Sequence, residues 1–265
     1  MQKIQYAFLD SGIGGLPYWE HLHERAEYVQ AVYVADTAHF PYGTKTAEEL
    51  QHIAVETVTK ILERFQPEII IIACNTLSVS ALETLRQHFA LPFVGTVPAV
   101  KVAAEKTKAN KIVLIASKKS IRDAYTENLI TRFSSPETFI LKAEQELIHK
   151  IETELLFASE AEKEKAVKPV IDFCLKEGAD CLVLACTHFL IIEDAFKKVS
   201  ARRIKVIESL DGVTEQVLRL APPVKSGQAK NAVSFLYVTD NCVSDKRIYY
   251  QKVAERYHLK FGGNL

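Results

Sequence analysis

Two segments of this sequence end alike: Pro67-Glu-Ile-Ile-Ile-Ile-Ala-Cys74-Asn-Thr and Ala179-Asp-Cys-Leu-Val-Leu-Ala-Cys186-Thr-His. Each reads as a buried strand that delivers Ala-Cys to a polar turn. A thiol ionises with an ordinary pKa of about 8.5, and its thiolate is a base and a nucleophile. Cys74 is followed by Asn75 and Thr76, and Cys186 by Thr187 and His188, all side chains that can hold a polar ligand. In open α/β sheets ligands bind beyond the carboxyl ends of the strands, so each cysteine is expected where its own half would hold a ligand. Two similar halves facing one cleft would present two thiols to one ligand. Free cysteine is also an ordinary small core residue, and that is the reading for Cys174, Cys181 and Cys242.

Other chemistry at these positions is weaker. Cys181, Cys186 and His188 resemble a metal cluster on paper, but strand residues five apart point to opposite faces, so no zinc site is expected. A Cys-His hydrolase with His188 activating Cys186 stays open, although neither cysteine lies in a Gly-x-Cys-x-Gly elbow. Asp10-Ser-Gly-Ile-Gly-Gly15 has glycine spacing unlike a dinucleotide fingerprint. Its Asp10 and Ser11 suit an amino or hydroxyl group on a ligand, with glycines allowing close backbone approach. In Asp36-Thr-Ala-His-Phe-Pro-Tyr-Gly43-Thr-Lys45, Tyr42 and the Gly43 backbone could bind a carboxylate, or form an ordinary turn.

The elements that must position these residues alternate between short buried strands and amphipathic helices, which predicts an α/β fold of two similar doubly wound halves with mainly parallel sheets. Strands are expected at Ile4–Leu9, Val29–Ala35, Ile69–Ala73, Phe93–Val97, Ile112–Ala116, Thr138–Leu141, Cys181–Ala185 and Lys205–Ile207. Helices are expected after Gly15, at Ile121–Phe133, at Val167–Lys176 ending on Gly178, and after the Thr46-Ala-Glu-Glu49 capping box. That last helix carries an apolar stripe of Leu50, Ile53, Ala54, Val58, Ile61, Leu62 and Phe65 and ends before Pro67. The predicted boundaries are residues 1–97 with 208–265 for the half carrying Cys74, and 98–207 for the half carrying Cys186. Pro222-Pro223 and the following Lys225-Ser-Gly-Gln228 are expected to form a surface loop.

Composition narrows the partners. The 265 residues carry 33 Lys and Arg against 33 Asp and Glu, which speaks against a nucleic-acid binder and leaves small-molecule chemistry. The Ile69–Cys74 and Cys181–Cys186 apolar runs are too short for a membrane span. No signal-peptide apolar region precedes Asp10, so the start is read as the mature N-terminus. Five cysteines without small-scaffold spacing suit a reducing cytoplasm.

Taken together, Asp10-Ser-Gly-Ile-Gly-Gly-Leu16, Ala35-Asp-Thr-x-x-x-Pro-Tyr-Gly43-x-Lys45, Ala73-Cys-Asn-Thr76, Val94-Gly-x-Val-Pro-Ala99 and Cys186-Thr-His188 resemble the glutamate racemase family of the aspartate/glutamate racemase superfamily. The resemblance implies interconversion of L- and D-glutamate without pyridoxal phosphate, metal or other cofactor. It also implies supply of D-glutamate for peptidoglycan, and a homodimer in a bacterial cytoplasm. Racemisation needs a base on one face of the α-carbon and an acid on the other, a task for two opposed thiols. By resemblance Cys74 acts on D-glutamate and Cys186 on L-glutamate, assisted by Asp10 and His188 respectively. Asp10, Ser11, Tyr42, Gly43, Asn75, Thr76, Thr187 and His188 are then substrate contacts, and Ser117 and Ser120 hold a carboxylate. The family's glycine before that serine pair is Ala116 here, and its Tyr-Pro after His188 is Phe189-Leu190. Glu144–Glu152 matches the family poorly and leaves only Glu152 as a match to the family's glutamate, so Glu152→Gln is expected to be mild. A racemase for another acidic amino acid such as aspartate, and a non-catalytic amino-acid-binding module, remain as alternatives.

Overall fold

The computed structural model describes residues 2–26, 29–223, 233–240 and 244–265. The expectations for Cys242 and for the Lys225–Gln228 loop lie outside the described residues. In chain order the elements begin with β1 (Gln2–Lys3), β2 (Tyr6–Asp10), α1 (Leu16–Arg25), β3 (Ala31–Ala35), α2 (Ala47–Arg64), β4 (Phe65–Gln66), β5 (Ile69–Ile72), α3 (Asn75–His88) and β6 (Phe93–Gly95). There follow α4 (Val100–Lys106), β7 (Ile112–Ala116), α5 (Ala124–Phe133), β8 (Phe139–Ala143), α6 (Gln145–Lys150), α7 (Glu160–Lys176), β9 (Cys181–Leu184), α8 (Glu193–Ser200) and β10 (Lys205–Ile207). The chain closes with α9 (Leu210–Leu220), β11 (Phe235–Val238), α10 (Ser244–Arg256) and β12 (Lys260–Asn264). Two compact units result: Met1–Thr96 with Leu210–Leu265, and Val97–Ser209.

The first unit holds a six-stranded sheet in the order β12-β11-β3-β2-β5-β6, all of whose pairs are parallel. Every residue of β2, β3 and β5 is buried, as a parallel sheet covered on both faces requires. The second unit holds a parallel four-stranded sheet, β10-β9-β7-β8. Both repeat one wiring. β3-β2-β5-β6 and β8-β7-β9-β10 each run second, first, third, fourth in chain order, so each sheet reverses its winding between its first and third strands. That reversal is where an open α/β sheet forms its ligand crevice. The β2/β5 boundary is the reversal in one unit, and β7/β9 is the reversal in the other.

Local chemistry explains most boundaries. Thr46 and Glu49 form the expected capping box, and Leu50, Ile53, Ala54, Val58 and Ile61 of α2 are buried. Phe65 caps the helix, stays buried in the same cluster and pairs in β4 with β1. The helix expected from Val167 begins at Glu160, because Ser159 and Glu162 make a second capping box. It ends at Gly178, whose φ of +71° is the left-handed conformation glycine adopts freely. The helix expected from Ile121 begins at Ala124, because the Asp123 side chain accepts from the Tyr125 amide and caps it there. No helix among the described residues is long and apolar enough to cross a membrane.

Candidate active site

Cys74 and Cys186 occupy equivalent places. Each lies two residues past the end of a central strand, β5 or β9, with backbone angles of φ −142°, ψ 118° and φ −142°, ψ 136°. Each caps the next element in the chain: the Cys74 carbonyl accepts from Ser78 N at 2.9 Å, and the Cys186 carbonyl from Phe189 N at 3.1 Å. Cys74 thus caps a 14-residue helix whose aligned amides favour negative charge, and Cys186 caps the short 3-10 turn Thr187–Ile192. Both thiols are buried, and each borders the winding reversal of its own sheet.

In the first unit the carboxyl end of β2 supplies Asp10 and Ser11, and the end of β3 supplies Asp36. The Ser11 amide donates to Asp10 Oδ1 at 2.6 Å, and the Asp36 amide donates to the Asp10 carbonyl at 2.7 Å. Tyr42 does not offer its hydroxyl to a ligand; it donates to Asp36 Oδ2 at 2.5 Å. Burial pushes this phenol well above its ordinary range, and Asp36, Cys74 and Asp10 push it further, which places each of these groups within electrostatic reach of Tyr42. Asn75 is buried at 3% exposure, and its Nδ2 has no hydrogen-bond partner. A desolvated amide next to Cys74 is a donor prepared for an acceptor on a ligand. Thr76 is also buried, and Gly43 lies in the 3-10 turn Tyr42–Thr44.

In the second unit His188 Nδ1 is 3.8 Å from Cys186 Sγ, and its Nε2 is 2.8 Å from Glu152 Oε2. Burial disfavours a charged ring here, but Cys186 and Glu152 outweigh it and hold the His188 pKa well above its ordinary value. Protonated at both ring nitrogens, His188 is a donor to both partners. Glu152, in the segment that matches the family poorly, is 6% exposed and sits on the π-helical turn Ile151–Leu155, which brings its carboxylate to His188. Ser117 and Ser120 follow β7, the strand beside β9. Ser117 Oγ donates to Ser120 Oγ at 3.0 Å and accepts from the Ser120 amide at 3.2 Å. Thr187 is buried next to Cys186.

The other described cysteines lie outside this arrangement. Cys174 is fully buried on α7, and burial raises its thiol to about 12; Cys181 opens β9 and is raised to about 11. Neither ionises readily near neutral pH. Cys174→Ala is expected to cost about 1 kcal/mol of stability and to leave activity unchanged, checked by melting and turnover together. A thousandfold loss with the fold intact would show that Cys174 belongs to the working pair. Among the described residues no group of three or more His, Cys, Asp or Glu is arranged to hold a metal ion.

Two parallel α/β units, each delivering a buried cysteine from the carboxyl end of a strand at the winding reversal, define a two-domain parallel α/β protein. The structure resembles that of Escherichia coli glutamate racemase in complex with L-glutamate and the activator UDP-MurNAc-Ala, with a TM-score of 0.84 at 24% identity, covering 99% of this chain and 98% of that one. The pattern of the Asp/Glu/Hydantoin racemase family matches residues 16–217. The chain is 37% identical over 264 residues to the glutamate racemase of Treponema pallidum, covering 100% of this chain and 97% of that protein. It is 33% identical to the glutamate racemase of Sphingopyxis alaskensis, over 91% of this chain and 89% of that protein. The chain belongs to the Asp/Glu/Hydantoin racemase family.

Proposed function

We propose that this chain is an isomerase that interconverts L- and D-glutamate, using its own side chains as acid and base. The observation that carries the reading is the equivalent placement of Cys74 and Cys186, each buried at the winding reversal of its own sheet, in a chain with full-length likeness to glutamate racemases. In this reading Cys186 removes the α-proton of L-glutamate and Cys74 that of D-glutamate. The thiolate takes the proton from one face while the protonated thiol gives one to the other. The proton inventory then balances: the base ends as a thiol and the acid as a thiolate, ready for the reverse reaction.

Between the two transfers the α-carbon carries negative charge that spreads onto the substrate carboxylate, so donors aimed at that group stabilise the transition state. Asn75 Nδ2, the Tyr42–Gly43 backbone, Thr76, Thr187, Ser117 and Ser120 are assigned to the substrate's carboxylates. Asp10 and Ser11 are assigned to its amino group, with Asp10 also serving Cys74 as His188 serves Cys186. We assign the product to peptidoglycan synthesis in a bacterial cytoplasm, and the working form to a homodimer. The test is the circular dichroism of L-glutamate incubated with purified protein and no added cofactor, run beside L-aspartate. Decay of the glutamate signal to zero supports the reading; a constant signal, or decay with aspartate alone, overturns it.

Glu152→Gln is expected to lower kcat/KM by roughly tenfold at mildly alkaline pH, the scale of a weakened acid–base partner. The sign follows from the geometry. Glu152 helps raise the His188 pKa, so a neutral amide lets it fall, and the imidazolium is lost at lower pH. The alkaline limb of the pH profile should move toward neutral pH. An unchanged profile would remove Glu152 from the mechanism.

A further inference from the structure

The carboxyl end of β11 is fastened to the loop that follows β3. Asp36 is fully buried, and its carboxylate accepts from Tyr42 Oη at 2.5 Å, from Thr239 Oγ1 at 2.6 Å, and from His39 Nδ1, which lies 2.9 Å from both oxygens. Thr239 uses its hydroxyl twice, donating to Asp36 Oδ1 and accepting from the Ala38 amide at 3.1 Å. Beside it, Thr37 Oγ1 donates to Asp240 Oδ1 at 2.6 Å and accepts from the Asp240 amide at 3.3 Å, while Lys246 of α10 pairs with Asp240. The parallel register of Val238 with Ala35 brings Thr239 level with Asp36. Farther along, the loop's own bonds are local: His39 N to the Asp36 carbonyl, Lys45 N to the Tyr42 carbonyl, and Thr44 Oγ1 to the Pro41 carbonyl.

We propose that Thr239 is a positioning residue for substrate binding. By supporting Asp36 from one side, it sets the carboxylate against which Tyr42 is fixed, and so sets the backbone of Tyr42 and Gly43. This inference rests on the reading that the Tyr42–Gly43 backbone receives a substrate carboxylate. Valine at 239 keeps the shape but removes both roles of the hydroxyl. One oxygen of a buried carboxylate loses a donor, which structures seldom tolerate without movement, and the exposed Ala38 amide loses its protein acceptor. The movement falls on the loop rather than on Cys74, which belongs to a different strand end. Binding shared by ground state and transition state is then lost, which raises KM and spares kcat.

The experiment compares wild type, Thr239→Val and Thr239→Ser by steady-state kinetics on L-glutamate, by melting, and by amide hydrogen exchange of residues 37–45. In Thr239→Val, KM should rise about tenfold with kcat within about threefold, the split that marks lost uniform binding. Exchange across the loop should quicken, and Thr239→Ser should restore both. Thr37→Val, which breaks the neighbouring fastening, carries the same test if Thr239→Val does not fold. An unchanged KM overturns the proposal, as does a fall in kcat alone, or faster loop exchange without a change in KM. A wild-type protein inert toward glutamate overturns the activity reading instead; the exchange comparison, which needs no turnover, then decides whether Thr239 sets the loop.

Discussion

Cys74→Ser and Cys186→Ser, made separately, are each expected to lower racemisation by at least about 10³-fold in both directions, the scale on which acid–base and nucleophilic groups are lost. A serine hydroxyl keeps roughly the shape of the thiol but is a far weaker acid, so it can be neither the thiolate base nor an equally ready proton donor. Every turnover uses both faces of the α-carbon, so either change stops the whole cycle. Thermodynamics also requires equal losses in the two directions. Enantiomers have equal free energy in water, so kcat/KM for L to D must equal kcat/KM for D to L in any variant. Racemisation alone therefore cannot say which thiol serves which enantiomer. A substrate with a leaving group on the β-carbon can, because elimination needs only the first proton removed. The Cys186→Ser variant, with Cys74 intact, should still eliminate from the D-enantiomer, and the Cys74→Ser variant from the L-enantiomer. The same enantiomer preference in both variants, or normal racemisation by either, would refute the two-thiol assignment.

The thiols are legible in the sequence because each ends an apolar run that can only be a buried strand, and a strand end at a polar turn is local information. The duplicated wiring around them is legible for the same reason, since strand and helix periodicities succeed one another in the same order in both halves. Glu152 is not. Its distance from His188 along the chain is 36 residues, and its place depends on the turn Ile151–Leu155 winding as a π-helix, for which no apolar periodicity gives notice. Asp36 stands in a recognisable loop, but its role comes from Thr239, 203 positions away. The run Ser234-Phe-Leu-Tyr-Val238 followed by Thr239-Asp240 carries the signature of a strand ending in polar groups, and that signature is the signal by which this end of the sheet can be found. The glycine loop after β2 is a middle case. Its glycines announce a tight turn, but only the structure tells that one of them is closed in by its neighbours.

That glycine is Gly15, and Gly15→Ala is expected to damage both stability and turnover. Its backbone, at φ −81° and ψ −7°, suits any residue, so conformation is not the reason. An added Cβ would lie 2.6 Å from the Ala73 Cβ, 2.7 Å from the Ala73 carbonyl oxygen and 3.0 Å from the Tyr33 hydroxyl. None of these can yield cheaply. Ala73 is backbone next to Cys74, its amide bonded to the Leu9 carbonyl at 2.8 Å, and the Tyr33 hydroxyl accepts from the Gly15 amide and donates to the Gly12 carbonyl. Relief must move either the loop that begins at Asp10 and Ser11 or the step that presents Cys74. Overpacking of this kind costs about 2–3 kcal/mol, and at this chain length that lowers the melting temperature by roughly 5–10 °C. Below that temperature kcat/KM should still be depressed about 100-fold, the scale of a displacement near 1 Å at a reacting group. Gly212 is the control. It lies in α9, an added Cβ there meets nothing within 4 Å, and Gly212→Ala should stabilise by up to about 1 kcal/mol with activity intact. If Gly15→Ala instead melts and turns over like the wild type, the loop after β2 does not bear on Cys74.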